Sequence, residues 1–434
     1  MNRFFWRNII GISSVEFLWG LGMPVVIEST FLQLFLRNLG ASNLLIGLVP
    51  TLFAGGVAVF SLFAGNLTGH LEHKRPLVIL THIAASLPIL TFAVVLNLTG
   101  FTPSILLVFF CCYALFSTGV GFILPVWQNY LVKIFIPERS ISALSVMWIS
   151  QSIAKIISSY LLLRFVERYS FSAAGSGMIF TAIGLLFVGG SFCFLITREK
   201  SDSSPAAASA GRGGLFHGFA PVLRNRNFLL FLGTDLEYFA LIGIISFYAN
   251  YATEHCGVNP ALASGLFVAF IYLGGISVNF LLGWFQLLSL KNKYWITKVP
   301  AALAVPLIVI FCKPWAFLLA SYLFGASRST RKLVFPPAVK RLCGQEDATH
   351  YFAVAPLFTL PLSVGLPLLN GAVLDRLAFM GGWSYRIVFL SMAVLSVISL
   401  ILLARIDSAA LQPGSAEEAE QTFQTTASSR PDGG

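Results

Sequence analysis

Charge is what this sequence has least of. Asp and Glu together number 18 in 434 residues, and charged residues of both signs make up only 11%. An ordinary soluble domain carries about 25%, so 56% hydrophobic residues and a mean hydropathy of +0.81 exclude the water-soluble globular class. There is no CxxC pair and no cysteine near a histidine at metal-ligand spacing. The six cysteines, Cys111, Cys112, Cys193, Cys256, Cys312 and Cys343, are scattered, mostly within apolar runs. They are expected to be small core residues, with no disulfide framework, metal or other cofactor. A small-residue cleavage site after the first apolar run is also lacking, and that run is too long for a signal peptide, so the N-terminus is expected to be retained. Basic residues are the exception, leaving a net charge of +10. They sit in short loops between apolar runs, where membrane insertion explains them without nucleic acid.

A bilayer crossing takes about 20 apolar residues, and twelve segments reach that length: 8–36, 43–68, 76–98, 103–131, 140–166, 173–197, 227–254, 260–289, 294–312, 314–339, 348–375 and 382–405. The expected fold is an all-α polytopic membrane protein. Residues 1–197 form the first six-helix half and 226–405 the second. Between them, 198–225 carries a Ser/Ala/Gly-rich stretch that reads as a flexible linker. The tail, 406–434, has little to bury and is expected to be disordered. With both termini on the cytoplasmic side, 17 of the 28 Lys and Arg fall inside, 6 outside and 5 within segments. The reverse orientation violates the positive-inside bias.

The halves repeat one another. Glu16-Phe17 aligns with Glu237-Tyr238, Gly40-Ala41-Ser42 with Gly257-Val258-Asn259, Gly47-Leu48 with Gly265-Leu266, and Glu167-Arg168 with Asp375-Arg376. A parallel duplication of six helices is one of the architectures that transporters use.

A short basic loop links the second and third segments. It contains Gly65, Leu67, Gly69, Lys74 and Arg75. The pattern resembles the gate loop between helices 2 and 3 of the major facilitator superfamily, a glycine, then a leucine, then an acid and a basic cluster. Gly69 stands where the family carries aspartate, so the charge relay that the acid serves there is weakened or built differently here. In segment 4, Gly119-Val120-Gly121 is similar to a Gly-x-Gly of drug/proton antiporters, with Leu115 in place of their arginine. Segment 5 lacks the antiporter glycines and proline. The resemblance covers residues 1–405 and implies two six-helix bundles around a central cavity, a secondary transporter working by alternating access and a functional monomer.

Ionisable residues deep in apolar segments carry the functional reading, because burying them is costly. Glu16, Asp235 and Glu237 fall near mid-membrane, and Gln151 and Lys155 share one helix face at i, i+4 spacing. Arg328 lies about 21 Å along its helix. These six are the candidate substrate-binding and proton-coupling residues. The plainer alternative for each acid is an interhelical packing bond, and for Lys155 a permanent acid partner. Glu28 is expected at the cavity rim, Arg331 and Lys332 at the interface, Lys298 snorkelling outward, and His82 in packing. Pro336, Pro337, Pro361 and Pro367 are expected to break segments 10 and 11.

The expected activity is transport of a small organic anion or amphipathic solute, coupled to H⁺. Proton-driven efflux of lipophilic compounds is the alternative within transport. Enzyme and receptor readings are remote: His70, Glu72 and His73 are the nearest cluster to a catalytic site and lack further ligands. A bacterial inner membrane suits the short loops.

Overall fold

The computed structural model describes residues 4–28, 30–68, 73–135, 137–199, 224–284, 288, 290–343 and 349–406. Among them all regular structure is helical. The membrane-length helices are α1 (Phe5–Val26, extended by Thr30–Asn38), α2 (Asn43–Thr68), α3 (Arg75–Thr99), α4 (Ile105–Ile134), α5 (Pro137–Tyr169) and α6 (Ala173–Phe192). The second set is α7 (Arg226–Thr234, Leu236–Ile245 and Tyr248–His255), α8 (Pro260–Val278), α9 (Leu290–Ile310), α10 (Pro314–Cys343), α11 (Thr349–Arg376) and α12 (Gly382–Ala404). Among the described residues, eleven helices are long and apolar enough to cross a bilayer. The remaining one, α10, has the length, but the polar stretch Ser327–Lys332 interrupts its apolar character.

Within each set the helices pack mainly on one another, α1 on α5 and α6, α2 on α4, α8 on α10 and α7 on α12. Two pairings, α2 with α11 and α5 with α8, carry most of the packing between sets. The repeat seen in the sequence has a backbone counterpart. Gly40 and Gly257 both adopt positive φ, 82° and 64°, a conformation that costs glycine little. Each is followed by a side-chain cap: Ser42 Oγ accepts from Leu45 N–H, and Asn259 Oδ1 from Ala261 N–H.

Helix breaks fall elsewhere than expected. Both α10 and α11 run unbroken past their prolines, which neighbouring helices permit in membranes. The discontinuities lie in α1, at Ile27 and Glu28, and in α7, at Asp235 and again at Ser246–Phe247. The cysteine expectation also needs correction. Cys256, just past α7, and Cys312, between α9 and α10, form a disulfide. Their separation of 56 residues gave no sequence signal, because the turns that bring these two helix ends together are far apart in the chain.

At the end of the bundle that carries Phe5 and Ala404, called here the near end, the Glu199 carboxylate accepts N–H bonds from Lys74 (2.8 and 3.0 Å) and Arg75 (3.1 Å) at the start of α3. Arg75 donates to the Thr197 carbonyl at 3.0 Å. Lys74 and Arg75 are thus tied to the end of α6 by the Glu199 carboxylate and the Thr197 carbonyl. Gly65 is helical, while Gly69 lies outside the described residues, as do positions 200–223 of the linker and the tail from 407.

Candidate functional site

At the far end, opposite Phe5, the two sets are bonded together. Arg37 grips Glu254 through two N–H bonds, 2.6 and 3.1 Å. The Asp375 carboxylate, at the end of α11, caps the start of α2, accepting from the Asn43 and Leu44 backbone N–H at 2.8 Å each. An anion at a helix N-terminus also meets the positive end of its dipole. Deeper in, Gln33 donates to the Ile245 carbonyl at 2.8 Å, and Thr51 to that of Val364 at 2.8 Å. Glycines make the approach possible: a Cβ built on Gly47 would lie 2.3 Å from the Pro367 oxygen, and one on Gly265 2.4 Å from that of Ser159.

Asp375→Ala removes a group that satisfies three N–H donors. It is expected to weaken this seal by about 1–3 kcal/mol. Faster labelling by an impermeant maleimide of a Gln33→Cys reporter, in a background without Cys111, Cys112, Cys193 and Cys343, is the readout. Unchanged labelling would show that Asp375 contributes nothing to closure.

Below the seal lies a cavity of about 500 Å³. Its walls come from α2 (Val49, Phe53, Val57), α7 (Asp235, Tyr238), α10 (Arg328, Arg331, Phe335) and the near half of α11, with Glu28 at its far limit. It lies from mid-bundle toward the near end. Every hydrogen bond between the two sets among the described residues whose partners are identified lies at or above the level of Glu28.

The charged residues form three groups. In the first, Glu28 is buried, its Oε2 accepting from Arg328 Nη1 at 3.1 Å and its Oε1 lying 3.8 Å from Lys155 Nζ. Tyr272 donates its hydroxyl to Glu28, and Lys155 lies over the Tyr272 ring, 4.5 Å from its centre. One carboxylate therefore faces two cations and joins α1 and α5 to α8 and α10. Placed in sequence at the rim, Glu28 is the hub instead. The break after Val26 turns it inward, which helical spacing from Arg7 could not reveal.

In the second group Asp235, at the first break of α7, accepts two bonds from Arg331, 2.9 and 2.6 Å. The Arg331 guanidinium also lies over the Tyr238 ring, 4.1 Å from its centre. Arg331 is therefore a cavity residue and not an interfacial one, as its position near the end of α10 had suggested. Arg328 and Arg331, three apart, share one face. Lys332 is exposed.

In the third group Glu237 is 1% exposed and lies outside the cavity lining. It accepts from Lys298 Nζ at 2.8 Å and Ser327 Oγ at 2.6 Å. Lys298 also donates to the Thr234 carbonyl at 2.5 Å, which the break in α7 leaves without its helical partner. Far from snorkelling, Lys298 is 2% exposed. The repeat mate of Glu237, Glu16, is likewise buried and outside the cavity lining. It accepts from Gln151 Nε2 at 2.6 Å, and among the described residues no cation lies within 4 Å of it. His82 packs edge-on to Trp19 and Phe194, its Nδ1 2.7 Å from the Val78 carbonyl.

The architecture is shared with solved transporters at low sequence identity. A mutant form of the nucleoside transporter NupG superposes with a TM-score of 0.70 at 12% identity, covering 92% of this chain and 99% of that one. A bacterial homolog of the human lysosomal transporter Spinster, in an inward-facing unoccupied conformation, gives 0.68 at 15%, with 96% and 100% covered. A POT family transporter in complex with a thioalcohol-conjugated peptide gives 0.66 at 14%, with 93% and 97% covered. No curated protein matches the sequence significantly. The Major Facilitator Superfamily model matches residues 18–358, and with the helices and central cavity described above it settles the family: this chain is an integral membrane protein and belongs to the Major Facilitator Superfamily.

Proposed function

We propose that the protein is a secondary active transporter, working by alternating access as a monomer, that moves a small organic anion coupled to H⁺. The observation that carries the reading is a cavity sealed at one end and faced by Arg328 and Arg331, with Lys155 behind Glu28. Counting Lys155 and Lys332, whose charge also acts on Glu28, four cations there face two carboxylates, Glu28 and Asp235, an excess of positive charge that suits an anion. The apolar wall of Val49, Phe53, Val57 and Phe335 suits a lipophilic portion of the same solute and favours, as second reading, efflux of lipophilic compounds.

With the near end cytoplasmic, in a bacterial inner membrane, this conformation is inward-facing. The Cys256–Cys312 disulfide then faces the oxidising side, a support for that orientation independent of loop charge. Of the four buried acids in the three groups, Glu28, Asp235 and Glu237 are each met by a cation, whereas Glu16 is met by a neutral amide. Ionised and buried with no cation in contact, a carboxylate is costly; Glu16 is thus the group best placed to exchange the coupling proton.

The test is uptake of radiolabelled organic anions into proteoliposomes under an imposed pH gradient. Glu16→Gln is expected to lower gradient-driven accumulation at least about tenfold while anion exchange at equal pH persists. Accumulation driven equally well in Glu16→Gln would remove the coupling assignment. Extrusion of lipophilic cations with no anion flux would move the second reading to first place.

A further inference from the structure

Two cations, Arg328 and Lys155, lie within 4 Å of Glu28, with Lys332 further off, and the two close grips differ. Arg331 holds Asp235 through both Nε and Nη2, filling the forked geometry of guanidinium on carboxylate. Arg328 gives Glu28 a single bond, through Nη1 at 3.1 Å, and its fork faces the cavity. Lys155 stands further off, 3.8 Å from the other oxygen, and is no part of the cavity lining. Glu28 itself lies in the break between the two segments of α1, its backbone N–H reaching Met23 at 3.3 Å and its carbonyl accepting from Thr30 at 3.0 Å. No regular helix fixes its side chain; its ligands do. Arg328 and Tyr272 come from the second set of helices, Lys155 from the first.

We propose that the substrate carries a single carboxylate, and that this carboxylate takes Arg328 from Glu28. The proposal rests on the transport reading above and names the substrate class for that cavity. After the exchange each cation has its own acid, Arg328 the substrate and Lys155 the Glu28 side chain. Among the groups in direct contact, two cations then face two carboxylates, which a neutral substrate does not achieve. Because Glu28–Arg328 joins the two sets and Glu28–Lys155 lies within the first, the exchange cuts a link between halves. It leaves the first half's own pairing in place. Substrate binding thereby loosens the far-end seal directly above Glu28, where Thr30 and Gln33 of the next segment bond to Ser264 and Ile245. In the empty carrier Glu28 strengthens the seal through Arg328; in the loaded one that contribution is lost. The cavity volume of about 500 Å³ suits an acid with one or two rings.

Binding of monocarboxylates to the purified full chain tests this, using radiolabelled benzoate and indole-3-carboxylate with the matching amides as competitors. The acids are expected to bind and the amides not to compete. Glu28→Gln removes the resident competitor and is expected to tighten acid binding about tenfold or more, although it deletes a charged group from the site. Arg328→Gln is expected to abolish binding. Glu28→Asp, which keeps the charge on a shorter side chain, guards against a folding defect and is expected to fall between wild type and Glu28→Gln. In the Gln33→Cys reporter, benzoate is expected to speed maleimide labelling of wild type and not of Glu28→Gln, which labels fast without ligand. Acid binding that is unchanged or weaker in Glu28→Gln overturns the exchange while leaving the anion transporter standing. If neither acid binds and proteoliposomes carry only cations or neutral solutes, the anion reading of the site falls with it.

Discussion

Replacing Lys298 with methionine is expected to destabilise the second half by about 3–5 kcal/mol, the usual cost of deleting one partner of a buried ion pair. The reason lies in what Lys298 does for two groups at once. Its ammonium satisfies the Glu237 carboxylate at 2.8 Å and the Thr234 carbonyl at 2.5 Å. With Lys298 gone, Glu237 retains, among the described residues, Ser327 as its hydrogen-bond donor, and the Thr234 oxygen retains Ser399. Methionine fills much of the volume, so lost packing is not the main term; an uncompensated carboxylate in a site 1% exposed is. Thermal unfolding of the detergent-purified protein, followed by size-exclusion recovery, should show a markedly lower midpoint. The double variant Lys298→Met with Glu237→Gln should regain most of it, because the orphaned charge is removed. A single variant as stable as wild type would mean that Glu237 finds another partner or is neutral when buried.

Lys298 also shows where reading from sequence stops. Five residues after Lys293, it sits close enough to a basic loop for snorkelling to be the cheaper assumption, and only the packing of α9 on α7 makes it a core residue. The same holds for Arg331. Hydropathy carried twelve segments of membrane length, the loop motif at Gly65 to Arg75 carried the family resemblance, and the internal repeat carried the pairing of Gly40 with Gly257, which share a positive φ. What they cannot carry is a contact between segments that are hundreds of positions apart. Glu28 meets Arg328 across 300 residues, and no helical spacing predicts it. The break at Ile27 and Glu28 was equally hidden. The prolines that drew attention to α10 and α11 are absorbed there without a break, while α7 breaks beside Asp235, which nothing local marks as a breaker. Cys256 and Cys312 were hidden for the same reason, since their neighbourhood exists only once α7, α9 and α10 have packed.

Gly47→Trp combined with Gly265→Trp is expected to hold the protein open at the far end and to reduce transport to a few per cent of wild type. The two glycines are repeat mates, and each lets a helix of one half touch the backbone of the other: α2 at the Pro367 carbonyl of α11, and α8 at the Ser159 carbonyl of α5. These are the two pairings that carry most of the packing between halves. A single added Cβ would already lie 2.3–2.4 Å from a backbone oxygen at either site, and backbone cannot rotate aside as a side chain can. An indole therefore prevents the approach altogether. Within one half the cost differs, since both positions face the other half in the closed state and lose that neighbour when the seal opens. The folded protein then survives as the open conformer, its equilibrium shifted by the overpacking cost of about 1–3 kcal/mol per site or more. The measurement is a pair of spin labels flanking the far end, with distances read by pulsed electron resonance: a longer distance in the double variant, insensitive to added monocarboxylate, is the expected result. Retained substrate binding with lost flux would separate this block from unfolding. A far-end distance and transport rate both equal to wild type would show that α2 and α8 close by another route, and that the backbone contacts at Gly47 and Gly265 do not govern the seal.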